Sequence, residues 1–138
     1  MLDLQLFMDR VVDGLVRRDA DSYVDMIELP YVIMTASYTK TITSREDLVA
    51  GFEKFVSGVK GRGVTDLVRV VRDITPLGPT MAVGSYETHL MKNGQRIVPV
   101  YTSFITLRLT DGVWRAICTT NEISHTDWHN RTSTPDLA

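Results

Sequence analysis

The sequence predicts an α+β fold, a cone in which a curved, mostly antiparallel sheet packs on three N-terminal helices. Three observations carry this expectation. Apolar residues recur at helical spacing only ahead of Gly61, and the rest of the chain is rich in β-branched and aromatic residues. Within that second part, Asn93-Gly94 and Asp111-Gly112 are hairpin dipeptides, because both central residues of a type I′ turn need positive φ.

The elements follow in order. Leu4, Met8, Val11, Val12 and Leu15 form one apolar stripe, with Asp3, Gln5, Asp9, Arg10, Asp13 and Arg17 largely outside it. Gly14 interrupts that helix at a cost of about 1 kcal/mol against alanine, which points to close packing there. Asp19-Ala20-Asp21-Ser22 offers short polar side chains to free backbone N–H groups and starts a second helix. That helix must end by Leu29, because Pro30 disfavours the α region for its predecessor. Tyr31-Val32-Ile33-Met34-Thr35-Ala36 then reads as a buried strand.

Ser44-Arg45-Glu46-Asp47 resembles a capping box, and Leu48, Phe52, Phe55, Val56 and Val59 line one face of the third helix behind it. Gly58, Gly61 and Gly63 end it. Residues 64–75, 80–92, 95–109 and 113–124 are four β-rich segments, and the hairpin dipeptides make the last of them an antiparallel meander. Strands this long imply strong twist, and a twisted sheet closed by helices leaves a cavity at its mouth.

Composition narrows the function classes. With 138 residues the chain is one domain's worth, and residues 1–125 are expected to form it, with 126–138 as a polar, extended or partly disordered tail. The balance of 15 basic against 17 acidic residues excludes a polybasic surface for nucleic acid or membrane. No stretch approaches the ~18 apolar residues of a membrane span, and the N-terminus lacks a signal peptide's layout. The single cysteine, Cys118, cannot form an internal disulfide, which predicts a reducing, cytoplasmic setting. No P-loop, dinucleotide-binding glycine pattern or serine-hydrolase elbow is present, and no cofactor is expected.

Three local features then combine with the order of elements. They are Arg18-Asp19-Ala20-Asp21-Ser22-Tyr23 between the first two helices, Thr43-Ser44-Arg45-Glu46-Asp47-Leu48 opening the third, and Asp111-Gly112-Val113-Trp114-Arg115 before the last strand. Through them the chain resembles the nuclear-transport-factor-2-like superfamily, and within it the SnoaL-like (polyketide-cyclase-like) and ketosteroid-isomerase-like proteins. The resemblance spans roughly residues 1–125. It implies a cystatin-like cone that serves isomerases, dehydratases, epoxide hydrolases, cyclases and non-catalytic binding modules alike.

Carried over residue by residue, the resemblance places the isomerases' carboxylate base at or beside Thr35, where there is no carboxylate, and their oxyanion-binding tyrosine near Val11. Neither residue can do that chemistry. Their second donor falls near Tyr101, two residues after Pro99, which does keep a hydroxyl. Abstraction of a proton beside a carbonyl needs both a base and an oxyanion donor, so that reaction is not expected. The Asp–Arg–Asp set of epoxide-hydrolase-like members is only loosely suggested by Arg69, Arg72 and Asp73, of which the last two point to opposite faces of a strand.

Strand alternation sorts the remaining candidates. Tyr101, Ser103, Ile105 and Leu107 share one face with Ile97 and Pro99, taken as the cavity side. Val98, Val100 and Phe104 fall on the outer face, an apolar patch through which the resemblance implies a homodimer. On 80–92, Tyr86 and Thr88 oppose Glu87 and His89, and periodicity leaves open which pair looks inward. Inside, His89 beside Glu87 would be an acid–base unit; the commoner arrangement of such a pair is exposed.

Asn121 and Glu122 at the end of the last strand either bond a ligand or are solvated. Cys118, among apolar residues, reads as a buried structural thiol. His125 and His129 have the spacing of two ligands on a helix turn, but there is no HExxH pattern and no third ligand, so no metal site is expected. The five tyrosines are many for this length, and cavities favour an aromatic body with a polar tip.

The expected function is therefore a small-molecule-binding cavity of SnoaL-like type, lined by Tyr23, Thr35, Tyr86, Tyr101 and Ser103. Its catalytic form would be a cofactor-independent isomerase, cyclase, dehydratase or hydrolase acting on a small apolar or aromatic metabolite, with Tyr101, His89 and Glu122 as candidate groups. The alternative is a non-catalytic interaction module on the same scaffold.

Overall fold

A computed structural model describes residues 2–123. Three helices, α1 (Leu4–Val16), α2 (Ala20–Asp25) and α3 (Arg45–Gly61), lie against a seven-stranded sheet. Its strands are β1 (Ile27–Met34), β2 (Thr39–Ile42), β3 (Asp66–Pro76), β4 (Met81–Lys92), β5 (Gln95–Arg96), β6 (Tyr101–Thr110) and β7 (Val113–Asn121). The order is β2-β1-β7-β6-β4-β3, with β5 paired to β4. All pairings are antiparallel except β1 with β7. The expected α+β architecture is the one observed.

Local chemistry sets the helix starts. Asp19 accepts from the Ser22 N–H and Ser44 from the Asp47 N–H, as expected, and Asp3 accepts from the Leu6 N–H to open α1. Gly63 takes a φ of +68° just past α3. Both hairpin dipeptides carry the positive φ that a type I′ turn needs: 51° and 82° at Asn93-Gly94, 52° and 75° at Asp111-Gly112. At Val71/Asp73 and Thr106/Leu107 one strand carries one extra residue, which increases the local twist, and a longer irregularity separates Ile27 from Val32.

The inner face and the helices share one core that includes Phe7, Met8, Leu48, Phe52, Leu90 and Leu107. At Gly84 an added Cβ would meet Leu4 Cδ2 at 2.2 Å and the Asp73 carbonyl oxygen at 3.1 Å, so α1 approaches the sheet where β4 has no side chain. At Gly14, where sequence suggested close packing, a Cβ would make only ordinary contacts at 3.7 Å and 3.8 Å.

The second helix ends at Asp25, within the bound set by Pro30, because Ile27 already pairs with Ala116 of β7. Other expectations need correction. Pro30 falls inside β1, at the register irregularity, where its missing N–H breaks no ladder bond. Thr35 does not continue the strand. It opens a turn in which its N–H donates to the Tyr38 carbonyl, and the chain returns as β2, a hairpin partner that the sequence did not announce. Segment 95–109 is two strands, since the stretch with Pro99 interrupts the ladder. Alternation therefore does not carry across it, and Val98 is buried at 3% exposure instead of sitting on the outer face. Residues 126–138, His125 and His129 lie outside the described residues.

Candidate functional site

The inner face of the sheet is built in rungs. Arg69 of β3 pairs with Thr88 of β4, which pairs with Tyr101 of β6. The next rung runs Val71, Tyr86, Ser103 and Asn121, and Ile105 and Thr119 follow. Directly paired residues point the same way, so these side chains converge under the helices. There they meet Phe7, Met8 and Val11 of α1, Tyr23 of α2, and Phe52 and Phe55 of α3, around a cavity of about 290 Å³. That lies close to the ~300 Å³ lower end for ligand pockets.

All five tyrosines of the chain line this cavity: Tyr23, Tyr31, Tyr38, Tyr86 and Tyr101. The Tyr23 ring lies 5.0 Å from that of Phe52, tilted by 43°. The Tyr31 hydroxyl is hydrogen-bonded to Thr119 Oγ1 at the wall. At the centre stands Arg69. Its guanidinium carbon lies 5.3 Å from the centre of the Tyr86 ring and 5.7 Å from that of Phe55, and its Nε is buried without a hydrogen-bond partner. Gln5 of α1 holds this residue's backbone by donating to the Arg69 carbonyl and accepting from the Val71 N–H, each at 2.9 Å. Lys40 and Lys54, both exposed, also line the cavity, whereas no aspartate, glutamate or histidine does so among the described residues.

Burial keeps Tyr23, Tyr31 and Tyr101 as donors. Burial raises the pKa of Tyr23 from 10.0 to about 12, against the pull of the Arg69 charge. Burial likewise pushes Tyr31 well above its ordinary value and Tyr101 upward, with Arg69 again opposing. Burial works against the charge on Arg69 itself, while Tyr86, Tyr101, Tyr23 and Tyr31 favour it and leave its pKa raised. At neutral pH the site therefore holds a guanidinium beside the protonated phenols of Tyr23, Tyr31 and Tyr101. No base faces it among the described residues.

The expected site residues divide accordingly. Tyr23, Tyr86 and Tyr101 line the cavity together. Ser103 is buried behind the wall, its hydroxyl donating to Asn121 Oδ1 at 2.6 Å, and it is Asn121 that reaches the cavity. Thr35 does not line it, because its hydroxyl lies in the β1–β2 turn against Ser37. His89 and Glu87 take the outer face, since Tyr86 and Thr88 hold the buried one. There Arg72 donates to Glu87 at 2.7 Å and holds its carboxyl below the ordinary range, while His89 Nε2 is 3.7 Å away, too far for a hydrogen bond.

Glu122 also does not line the cavity, although its neighbours Asn121 and Ile123 do. Its carboxylate accepts from the Thr102 N–H at the start of β6. Cys118 is half-buried, not fully enclosed as expected. Arg69 was named in the sequence only beside Arg72 and Asp73, yet it shares parity with buried Leu67 and with Val71. That parity was the available signal for an inward arginine.

Comparison with family models matches residues 4–123 to the family described as NTF2-like protein (DUF6841). The chain belongs to this NTF2-like family. No curated protein matches it.

Among solved structures, an NTF2-like protein of unknown function from Shewanella oneidensis MR-1 is similar at 12% identity and a TM-score of 0.69, over 86% of this chain and 94% of that one. A cystatin-like domain of unknown function from Nostoc punctiforme PCC 73102 is similar at 11% identity and a TM-score of 0.68, over 98% and 85%. A Shewanella frigidimarina NCIMB 400 protein, provisionally described as a ketosteroid isomerase, is similar at 12% identity and a TM-score of 0.64, over 84% and 91%. At such identities the likeness concerns the fold alone. No helix of the described residues is long and apolar enough to cross a membrane.

Proposed function

We propose that this NTF2-like protein binds a small apolar or aromatic molecule in its cavity, as a SnoaL-like protein would. The observation that carries the reading is the convergence of all five tyrosines and Arg69 on one space bounded by apolar side chains of α1 and α3. The lining supplies hydrogen-bond donors and positive charge and, among the described residues, no carboxylate or imidazole. That supports binding, or polarisation of a ligand oxygen, over a reaction that begins with proton abstraction. His89 and Glu122 have no part in it.

Gly51 of α3 provides a clean test, because it lines the cavity and an added Cβ there meets nothing within 4 Å. Indole titrated into the full chain is expected to bind saturably, with nuclear magnetic resonance shifts at Tyr23, Phe55 and Tyr101. Gly51→Trp fills the space and is expected to abolish that binding while the fold persists. Saturable binding that survives Gly51→Trp would place the ligand elsewhere and count against the reading.

We also propose that the outer sheet face pairs with a second copy of the chain. Val98 no longer contributes, but Phe104 is 53% exposed and Met34 is exposed in the same cross-strand row, through Thr120. An apolar row on a sheet face is the feature a monomer would bury. Light scattering is expected to give twice the 15.5 kDa chain mass and to fall to the single-chain mass in Phe104→Lys. A monomer at all concentrations up to the micromolar range would rule the dimer out.

A further inference from the structure

We propose that the ligand of this cavity is a monocarboxylate, its carboxylate set against the guanidinium of Arg69 and its apolar body against α1 and α3. The proposal rests on the reading of the cavity as a small-molecule site. Its first ground is the placement of charge. The chain as a whole carries a net charge of −2, yet the described charged residues that line the cavity are Arg69, Lys40 and Lys54, all positive.

The second ground is that Arg69 lacks a carboxylate partner among the described residues, as the exposed Arg10, Arg18 and Arg96 also do, but unlike them it has a buried polar atom. Arg17, Arg45, Arg72 and Arg108 each have a carboxylate partner, although all four keep about half or more of their side chain exposed. Arg69, the one under the helices, has no such partner among the described residues, and its Nε is buried with nothing to donate to. Buried charges are normally paired, and exposed ones need no partner. A ligand anion would restore the ordinary pattern.

The third ground is preorganisation. The rings of Tyr86 and Phe55 confine the guanidinium, and Gln5 fixes the backbone that carries it. A planar guanidinium held in this way suits the two oxygens of a carboxylate. One cation at depth suits a single negative charge; a phosphate dianion would need more than neutral phenols beside it. At about 30 Å³ of liquid per water molecule, the cavity has room for on the order of ten non-hydrogen atoms. Lys40 and Lys54, exposed on the cavity lining, add attraction for an approaching anion.

The test is calorimetric titration of the full chain with 3-phenylpropanoate, its neutral isostere 3-phenylpropanamide, inorganic phosphate and indole. The carboxylate is expected to bind about tenfold or more tightly than the amide and to displace indole. Arg69→Gln should erase that preference, and Arg69→Lys should keep only part of it. If the amide binds as well as the carboxylate, the charge assignment falls while the cavity reading stands. If neither they nor indole bind, both fall. Phosphate binding tighter than 3-phenylpropanoate overturns the monocarboxylate. The comparison within the unmodified chain decides the matter even if the variants do not fold.

Discussion

Above pH 10 the protein is expected to lose stability steeply, because Tyr23, Tyr31 and Tyr101 hold their protons in the fold longer than they do in the unfolded chain. Tyr23 shows the sign. Its phenol, at 10.0 when free, is pushed up to about 12 in place. Between those values the unfolded chain has released a proton that the folded chain retains, so each rise in pH favours unfolding. The contribution is fully present below 10.0 and is lost as the pH climbs to about 12.

At about 1.36 kcal/mol per pKa unit, Tyr23 accounts for a loss on the order of 2–3 kcal/mol. Tyr31 and Tyr101 are shifted in the same direction and add to it. A few kcal/mol is a large part of a typical domain's stability. Urea denaturation at neutral and at alkaline pH checks the loss. Phenolate absorbance checks its origin, since part of the tyrosine signal should appear only as the protein unfolds. A single titration near 10 with the fold intact would contradict the argument.

Arg69→Met is expected to stabilise the folded protein at neutral pH by about 1–3 kcal/mol while removing its preference for an anion. The tyrosine oxygens favour the Arg69 charge fully only as they ionise, so at neutral pH only the ring contacts with Tyr86 and Phe55 and the hydrogen bond with Tyr101 offset the burial of the guanidinium. Methionine can fill the space between Phe55 and Tyr86 with no charge to desolvate. Stability given up at one residue is common where that residue serves a ligand. Chemical denaturation measures the first half of the prediction, and the carboxylate–amide comparison measures the second. A large loss of stability in Arg69→Met would mean that the ring contacts outweigh desolvation and that the arginine holds the fold together.

The two predictions depend on each other. Arg69 pulls the pKa of Tyr23, Tyr31 and Tyr101 down, so removing its charge should steepen the alkaline loss. A carboxylate bound beside Arg69 would act in the same direction on the phenols.

How much of this could be read in the residues depends on how far each feature reaches along the chain. Asp19 and Ser44 cap their helices through N–H groups three residues away, and Asn93-Gly94 and Asp111-Gly112 turn within two residues. Such short-range chemistry, with the apolar periods of α1 and α3, determined the α+β class and the meander from sequence alone. Part of the site was legible too, because Tyr101 has the parity of the buried Ile105 and Leu107.

What the sequence could not decide required contacts between distant elements. Tyr86 and Glu87 both fit alternation, and only the packing of the helices against the sheet shows that Tyr86 is inside and that His89 and Glu87 are outside. Thr35 leaves the strand because β2 returns to pair with β1, and Val98 turns inward because the ladder breaks before Tyr101. Arg69 is the clearest case. An arginine on a strand is ordinarily exposed or paired, and its identity carries no record of its partners. Only the tertiary structure brings Tyr86, Phe55 and Gln5 to it and leaves every acidic side chain off the cavity lining among the described residues, because a side chain's electrostatic environment is made by residues far from it in the chain.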